Sequence, residues 1–224
     1  MPKDLKQQSD TYWRNEAGSF DRHYRSNLLS LSFITKTFLK KRTDLIVSLL
    51  QYTKKEDLID IGCGSGIQLA QLENKFSDGV IGVDYSFDML SLCQQNLPKT
   101  PYKHRFLINA DAEKLCFQNS RFNCLISLGL LDYMPDYRLV LKEFYRILKP
   151  QGKILFTIPK KPSIFFFFRT RIGINLRKML FNLPPILTAV TQKELLSTLE
   201  HLNFKLEFID SLWNTMWIVK VKKA

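Results

Sequence analysis

Residues 57–66 have the sequence DLIDIGCGSG and decide the fold. Apolar residues flank an acid, Asp60, and lead into three glycines at alternate positions, Gly62, Gly64 and Gly66. The apolar run predicts a buried β-strand, and the glycines allow positive φ angles and close approach to a ligand. A helix predicted directly after the loop would present the unpaired N–H groups of its first turn. The pattern therefore indicates a strand–loop–helix cradle for a nucleotide-type cofactor.

The spacing of the glycines narrows the kind of cofactor. It is G-x-G-x-G, whereas dinucleotide-binding loops have G-x-G-x-x-G, and no G-K-[ST] of a phosphate-binding loop follows. The loop thus favours a cofactor without a pyrophosphate.

Strand and helix patterns alternate along the rest of the chain. Predicted strands cover 57–61, 80–84, 105–109, 123–128 and 153–159, and predicted helices cover 66–76, 86–96 with Ser86 as N-cap, 137–149, and 191–202 with Thr191 and Glu194 in capping-box spacing. Two last strands, 205–210 and 216–222, are expected to pair antiparallel. This alternation predicts a parallel, doubly wound sheet.

The glycine loop in this context resembles the first motif of class I S-adenosylmethionine-dependent methyltransferases. More narrowly, the chain resembles their type 11, ubiquinone/menaquinone-biosynthesis-like small-molecule branch, motif by motif over about residues 45–159. The resemblance implies an α/β, Rossmann-like, doubly wound and mostly parallel seven-stranded sheet. Apolar residues at helical spacing predict an N-terminal helical cap over 1–52, which would form one compact unit with the S-adenosylmethionine-binding domain (53–224). The resemblance places an insertion or lid at about 160–190, after the fifth strand.

The acid Asp84 ends the second predicted strand, roughly 20 residues after the glycine loop. In doubly wound folds an acid at this distance accepts hydrogen bonds from ribose hydroxyls, although a helix-capping role also stays open.

The other cofactor residues follow from the resemblance. Asp60 matches an acid that helps to hold the amino group of the methionine part, and the loop with Gly62, Cys63, Gly64 and Gly66 passes under that part. Asp111 and Ala112 match an acid that bonds the adenine amino group and a backbone N–H that meets a ring nitrogen, with an ordinary turn aspartate as the alternative. Tyr85 would form an apolar wall for adenine, and Ser127 would lie beneath the reactive methyl group.

Candidate catalytic residues are few, because displacement at a sulfonium mainly requires alignment and, for some acceptors, removal of a proton. After the fourth strand the chain has Asp132 and Tyr133 where many relatives have histidine. His23 and Tyr24 lie in SFDRHY, which resembles the F-D-x-x-Y pattern of the family's cap. His23 is the best single candidate because histidine titrates near neutrality, while packing or capping roles remain open for all four residues.

The net charge is +12, and its distribution points to the acceptor. Between Glu143 and Glu194 there is no acidic residue but there are ten basic ones. Within this window, 160–190 combines cations with the phenylalanine run 165–168. It favours an apolar pocket for an anionic acceptor or contact with a membrane surface that presents a lipophilic substrate. A solvated basic loop whose phenylalanines pack on the core is the alternative.

Other features exclude several classes. We find no signal peptide, no run long enough to span a membrane and no metal-binding spacing among four scattered cysteines, so we expect a cytoplasmic enzyme without a metal. We expect a small-molecule methyl acceptor, and nucleic acid is disfavoured because no separate RNA-binding domain is present. Two alternatives stay open, which are an RNA methyltransferase and a non-catalytic S-adenosylmethionine-binding partner subunit.

Overall fold

The computed structural model describes residues 11–13, 37, 41–42, 44–50, 58–72, 79–98, 105–163 and 188–224. Most of the predicted cap (1–52) and of the predicted insertion (160–190) lies outside these residues. None of the helices within the described ranges has the length and apolar character that a bilayer span requires.

The described residues form a seven-stranded sheet with the order β3-β2-β1-β4-β5-β7-β6. The strands are β1 (Leu58–Ile61), β2 (Val80–Asp84), β3 (Arg105–Asn109), β4 (Phe122–Ser127), β5 (Leu148–Pro159), β6 (Phe204–Leu212) and β7 (Met216–Lys223). Strands β1 to β5 are parallel, and β7 runs antiparallel to both β5 and β6. The predicted Rossmann-like, doubly wound sheet and the final antiparallel pair are confirmed.

Helices connect the parallel strands, except that β3 and β4 are joined by turns over 110–121. The helices are α1 (Ile67–Leu72), α2 (Phe87–Asn96), α3 (Tyr137–Ile147) and α4 (Gln192–His201), with a short 3-10 helix at Leu131–Tyr133 and helical residues at 44–49. The predicted caps are confirmed. The Ser86 hydroxyl accepts the Met89 N–H at the start of α2, and Thr191 and Glu194 form a capping box at the start of α4.

The core consists of two apolar clusters, one on each face of the sheet. Phe144 of α3 and Leu195 of α4 pack in one cluster, and Leu69 of α1 and Leu90 of α2 pack in the other. Ile46, from the helical segment 44–49, is fully buried in the second cluster. Both faces are therefore covered, which is why β1 is buried at every position.

The junction between α3 and β5 differs from the prediction. The helix ends at Ile147, two residues early, and β5 begins directly at Leu148, which pairs with Phe122. Pro150 explains the early stop, because the residue before a proline avoids the helical region. Gln151 then has a φ of 64°, and a register shift in the β4–β5 pairing accommodates this turn.

Candidate active site

The ends of β1, β2 and β4 meet at the carboxyl edge of the sheet. The strands β2 and β4 lie on opposite sides of β1. The connections that follow β1 and β4 therefore lead away from each other, which opens a crevice between the two strand ends. Ligands of open α/β sheets bind in the crevice at such a switch point. The glycine loop 62–66 is placed there by the N–H groups of Gly62 and Cys63, which donate to the Val83 carbonyl at 2.8 and 3.0 Å.

The three glycines of the loop serve different purposes. All three have positive φ. A Cβ on Gly62 would lie 2.7 Å from the Leu130 Cβ, and one on Gly66 would lie 2.4 Å from the Cys93 Sγ. Glycine is required at both positions because any side chain would collide with these neighbours. A Cβ on Gly64 would meet nothing within 4 Å. Gly64 therefore faces open space, and a ligand can approach the backbone there.

The Asp84 carboxylate connects this loop to the end of β2. Its Oδ2 accepts the Gly64 N–H at 2.8 Å, and its Oδ1 accepts the Ser86 N–H at 2.9 Å. Burial raises the pKa of Asp84, while the N–H groups that bind its oxygens oppose that shift. Each carboxylate oxygen can accept a second hydrogen bond. The Asp84 carboxylate, beside the open space at Gly64, thus has free acceptor capacity for the two hydroxyls of a ribose.

Asp60 lies under the loop and is almost inaccessible, with 2% of its surface exposed. Burial, followed by repulsion from Asp84, raises its pKa from 3.8 to about 7, and the positive charge of Arg42 opposes the rise. A bound ammonium group would stabilise the ionised form of this carboxyl group, because its positive charge opposes the rise in pKa caused by burial and by Asp84. This property fits the amino group of a methionine moiety.

Cys63, in the middle of the loop, is buried. A hydrogen bond with Cys93 and burial raise the pKa of its thiol well above the usual range, so the thiol stays neutral. Its contribution to the site is therefore made through the backbone. Within the described ranges, no three or more His, Cys, Asp or Glu side chains are grouped so that they could hold a metal ion.

Asp111 and Ala112 begin the turn after β3. The Ala110 N–H donates to the Asp84 carbonyl at 3.2 Å, which ties this turn to the end of β2. The Asp111 Oδ1 accepts the Glu113 N–H at 2.9 Å, as in an Asx turn. Ala112 is buried, whereas Tyr85, next to Asp84 in the chain, is 39% exposed. The structure thus brings the predicted ribose and adenine residues to one side of the glycine loop.

Ser127 lies on the other side of the loop, at the end of β4. Its side chain is fully buried, and its hydroxyl donates to the Ile61 carbonyl at 2.8 Å. This bond joins the last residues of β4 and β1. The turn after β4 is held by a second hydrogen bond, in which the Gly129 N–H donates to the Thr157 hydroxyl at 2.9 Å.

The 3-10 helix after β4 contains Asp132 and Tyr133. Asp132 is buried, and its backbone carbonyl accepts the Thr188 N–H at 3.3 Å. The Tyr133 ring makes an edge contact with Trp13, with centroids 5.1 Å apart. The Ser86 hydroxyl also donates to the Trp13 carbonyl at 3.1 Å. Trp13 thus reaches the end regions of both β2 and β4.

The remaining predicted catalytic residues, His23 and Tyr24, lie outside the described residues. The structure also brings in residues that the sequence did not single out, namely Trp13, Arg42, Glu143 and Arg146. Arg42 follows Lys40 and Lys41, and no sequence pattern distinguishes the buried cation from its neighbours. For Glu143 and Arg146 the three-residue spacing of an ion pair on a helix was a usable signal.

The described residues thus form a Rossmann-like α/β domain with a glycine loop at the switch point of the sheet, a fold that solved methyltransferase structures share. Residues 59–156 match the family described as a methyltransferase domain. The chain is 31% identical over 154 residues to the demethylmenaquinone methyltransferase of Bacillus licheniformis, covering 67% of this chain and 65% of that protein. The corresponding protein of Bacillus subtilis is 29% identical over the same coverage. The matched region thus spans slightly less than two thirds of these relatives.

Solved structures show the same fold. Magnesium protoporphyrin IX methyltransferase from Synechocystis, with bound S-adenosylhomocysteine (SAH), has a TM-score of 0.74 at 14% identity, covering 98% of this chain and 100% of that one. A methyltransferase-like protein from Bacillus halodurans has a TM-score of 0.68 at 14% identity, covering 82% and 99%. The resemblance to the ubiquinone/menaquinone-related branch of class I methyltransferases, predicted from the sequence, is confirmed.

Proposed function

We propose that the protein transfers a methyl group from S-adenosylmethionine to an oxygen, nitrogen or carbon atom of a small molecule. The observation that carries this proposal is the Asp84 carboxylate bound to the Gly64 N–H beside open space, at the switch point of the sheet. The family match over 59–156 and the relatives' names support the same activity.

In this proposal each residue of the loop region has a defined task. Asp84 accepts hydrogen bonds from the ribose hydroxyls, and Asp60 binds the amino group of the methionine part. Asp111 and the Ala112 N–H bind the adenine edge, and Tyr85 covers its face. When bound, the cofactor would supply an electrophilic methyl group on its sulfonium, with the neutral thioether as the leaving group. The chain's own contribution is to align the two molecules and to exclude water.

A proton acceptor, where the acceptor molecule needs one, would come from the residues near the end of β4. Asp132 and Tyr133 lie in the short 3-10 helix after β4, and the contact of Tyr133 with Trp13 supports a place for the N-terminal region at this edge. We therefore keep His23 and Tyr24, ten or so residues beyond Trp13, as the second pair of candidates.

A small acceptor is favoured over RNA by the partners of three cations of the basic window that lie within the described residues. Arg146 is bound to Glu143, Lys153 lies 4.0 Å from Glu207, and the Lys160 ammonium lies 4.5 Å from the ring centroid of Trp217. These cations are engaged within the protein, whereas phosphate binding requires cations that point outward along one face.

We propose a lipophilic acceptor reached at a membrane surface by a cytoplasmic enzyme. The relatives are named as demethylmenaquinone methyltransferases. In addition, both ends of the predicted insertion (160–190) lie beside the candidate site. There the Lys161 N–H donates to the Val190 carbonyl at 2.9 Å, and the Thr188 N–H donates to Asp132. Vesicle flotation with anionic lipid should recover the protein. Phe166→Ser with Phe167→Ser should reduce recovery, and Phe106→Ser, at a residue 55% exposed on the edge strand β3, should not.

The activity is tested with methyl-labelled S-adenosylmethionine and a fractionated cell extract. We expect label in the small-molecule or lipid fraction, and retention of that activity at moderate salt. Label in RNA that is lost at moderate salt would instead identify a nucleic-acid acceptor. Tight SAH binding without any transfer would favour the non-catalytic partner subunit.

A further inference from the structure

Arg146, in the last turn of α3, uses every donor of its guanidinium group. Its Nε and Nη2 donate to the two oxygens of Glu143, each at 2.8 Å. Its Nη1 donates to the Phe117 carbonyl at 2.7 Å and to the Asn119 Oδ1 at 3.0 Å, and Nη2 also donates to the Leu115 carbonyl at 2.9 Å. Arginine has five N–H donors, so none is left for solvent or a ligand.

Glu143 completes the arrangement from the same helix. Its Oε2 accepts the Leu115 N–H at 2.8 Å, so the ion pair binds both backbone polar groups of Leu115. Arg146 lowers the pKa of Glu143, and the pair therefore stays charged at neutral pH. Charge-assisted hydrogen bonds of this kind are shorter and stronger than neutral ones. The chain after β3 is thus attached to α3 at a defined point.

This attachment determines where the Asp111 turn lies. At its start, the Ala110 N–H is bound to Asp84, and within the turn the Asp111 side chain and carbonyl accept the N–H groups of Glu113 and Lys114. At its end, Leu115 is held by the ion pair and its side chain is buried. The turn is anchored at both ends, so movement of either anchor would reorient the Asp111 carboxylate and the Ala112 N–H.

We infer that the Glu143–Arg146 pair is a positioning element for purine recognition, acting through the turn from Asp111 to Leu115. The described hydrogen bonds of both side chains are made to α3 and to the chain between Leu115 and Asn119, so the pair would act through the turn. The inference rests on the proposed function, because it assigns to the turn the task of reading the exocyclic amino group of adenine.

The test compares SAH with its inosine counterpart, in which an oxo group replaces that amino group. Dissociation constants are measured by calorimetry for the full chain. The unmodified protein should prefer SAH by about tenfold or more, the value of one good hydrogen bond to a charged group. Arg146→Lys keeps the charge but not the planar five-donor group. It should weaken SAH binding about tenfold and the inosine analogue much less, so that the preference falls severalfold.

Two further variants control for structural damage. Arg138→Lys alters an arginine on the same helix whose pair with Asp136 is exposed and distant from the turn, and it should leave the preference unchanged. Glu143→Gln keeps the side-chain shape and should lower the preference in the same direction as Arg146→Lys, even if Arg146→Lys proves too unstable to assay.

The possible results separate the two claims. Failure of the unmodified protein to bind SAH would reject the proposed function. Binding without preference for the amino group would reject the reading of adenine by the Asp111 turn and leave the function standing. An equal loss of both ligands in Arg146→Lys and Glu143→Gln, or no loss in either, would show that the pair serves stability alone.

Discussion

At the scale of single residues, Asp84 offers the most direct test of the cofactor site. Asp84→Asn keeps the size of the side chain and one acceptor oxygen but removes the charge. We expect SAH binding to weaken by about 1–3 kcal/mol, the range for hydrogen bonds to a charged group. Asp88→Asn is the control, because Asp88 is an exposed acid in the first turn of α2. Equal affinities of the two variants would remove Asp84 from the site.

The buried acid Asp60 predicts a pH dependence of stability. Its pKa is raised from 3.8 to about 7, so the folded protein holds this proton more tightly than the unfolded chain. The resulting contribution to the free energy of unfolding is complete below about pH 4 and is lost as the pH rises through about 7. Asp60→Asn should remove a slope of up to about 1.4 kcal/mol per pH unit. Urea unfolding between pH 5 and 8 measures it.

The same group should link cofactor binding to protons. A ligand ammonium beside Asp60 favours the ionised carboxyl, so SAH affinity should increase from pH 6 to 8 with release of a proton. Calorimetry in buffers of different ionisation enthalpy detects that proton. Arg42 and Asp84, the charged groups that face Asp60, are unchanged in Asp60→Asn, and a pH dependence that persists in this variant would assign the effect to them.

The glycine loop provides a matched pair of substitutions. In Gly64→Ala the new Cβ enters open space, and the positive φ of 53° costs about 1–2 kcal/mol. In Gly66→Ala the Cβ also collides with the Cys93 Sγ at 2.4 Å, which adds roughly 1–3 kcal/mol. Urea unfolding should therefore rank Gly66→Ala as the less stable. Gly64→Ala should stay folded and lose SAH binding, and normal binding by it would show that no ligand approaches Gly64.

At the scale of elements, the capping box of α4 has a separable role. The Thr191 hydroxyl accepts the Glu194 N–H at 3.2 Å, and the Glu194 carboxylate accepts the Thr191 N–H at 2.7 Å. Thr191→Ala should lower the free energy of unfolding by about 1 kcal/mol without changing SAH affinity. Ser197→Ala, on an exposed position of the same helix, should be neutral or slightly stabilising. A similar effect of both variants would contradict the capping role.

Elements were predictable from sequence where the signal is local. The strand β2 is a short apolar run bounded by a glycine and an aspartate, and its predicted limits match those observed. The α3–β5 junction was less well predicted, because pairing of Leu148 with Phe122 on β4 overrides the helical periodicity. Elements with weak local signals are settled by their neighbours in space.

The residues of the candidate site were likewise predictable from sequence only where their signal is local. The positions of Asp60 and Asp84 follow from strand ends, which the sequence marks. The contacts that fix the site join distant parts of the chain, such as the Ser127 hydroxyl with the Ile61 carbonyl and the Ser86 hydroxyl with the Trp13 carbonyl. Periodicity and motif spacing contain no information on such pairs or on the buried Arg42, which emerged only from the folded arrangement. The ion pair on α3 is different, because the three-residue spacing of Glu143 and Arg146 is a local signal.

At the scale of the whole molecule, residues of the predicted cap (1–52) also belong to the hydrophobic core of the predicted domain (53–224). Ile46 is fully buried and Leu50 is 8% exposed, in the cluster that contains Leu58 of β1 and Ile218 of β7. Side chains of this kind each contribute about 1.5–3 kcal/mol when buried. Their loss is a large part of the roughly 5–15 kcal/mol by which domains are stable.

Two truncated chains test the energetic role of residues 41–50. A chain that begins at Lys41 retains Arg42 beside Asp60 together with the apolar contacts of Ile46, and we expect urea unfolding to give a free energy within about 1–2 kcal/mol of the full chain. A chain that begins at residue 53 loses all of these contacts, so it should unfold at a much lower urea concentration and bind SAH weakly. Equal stability of the two truncated chains would show that the helical segment packs on a domain that does not need it. A large loss already in the chain from Lys41 would place stabilising contacts nearer the N-terminus, where Trp13 meets Tyr133.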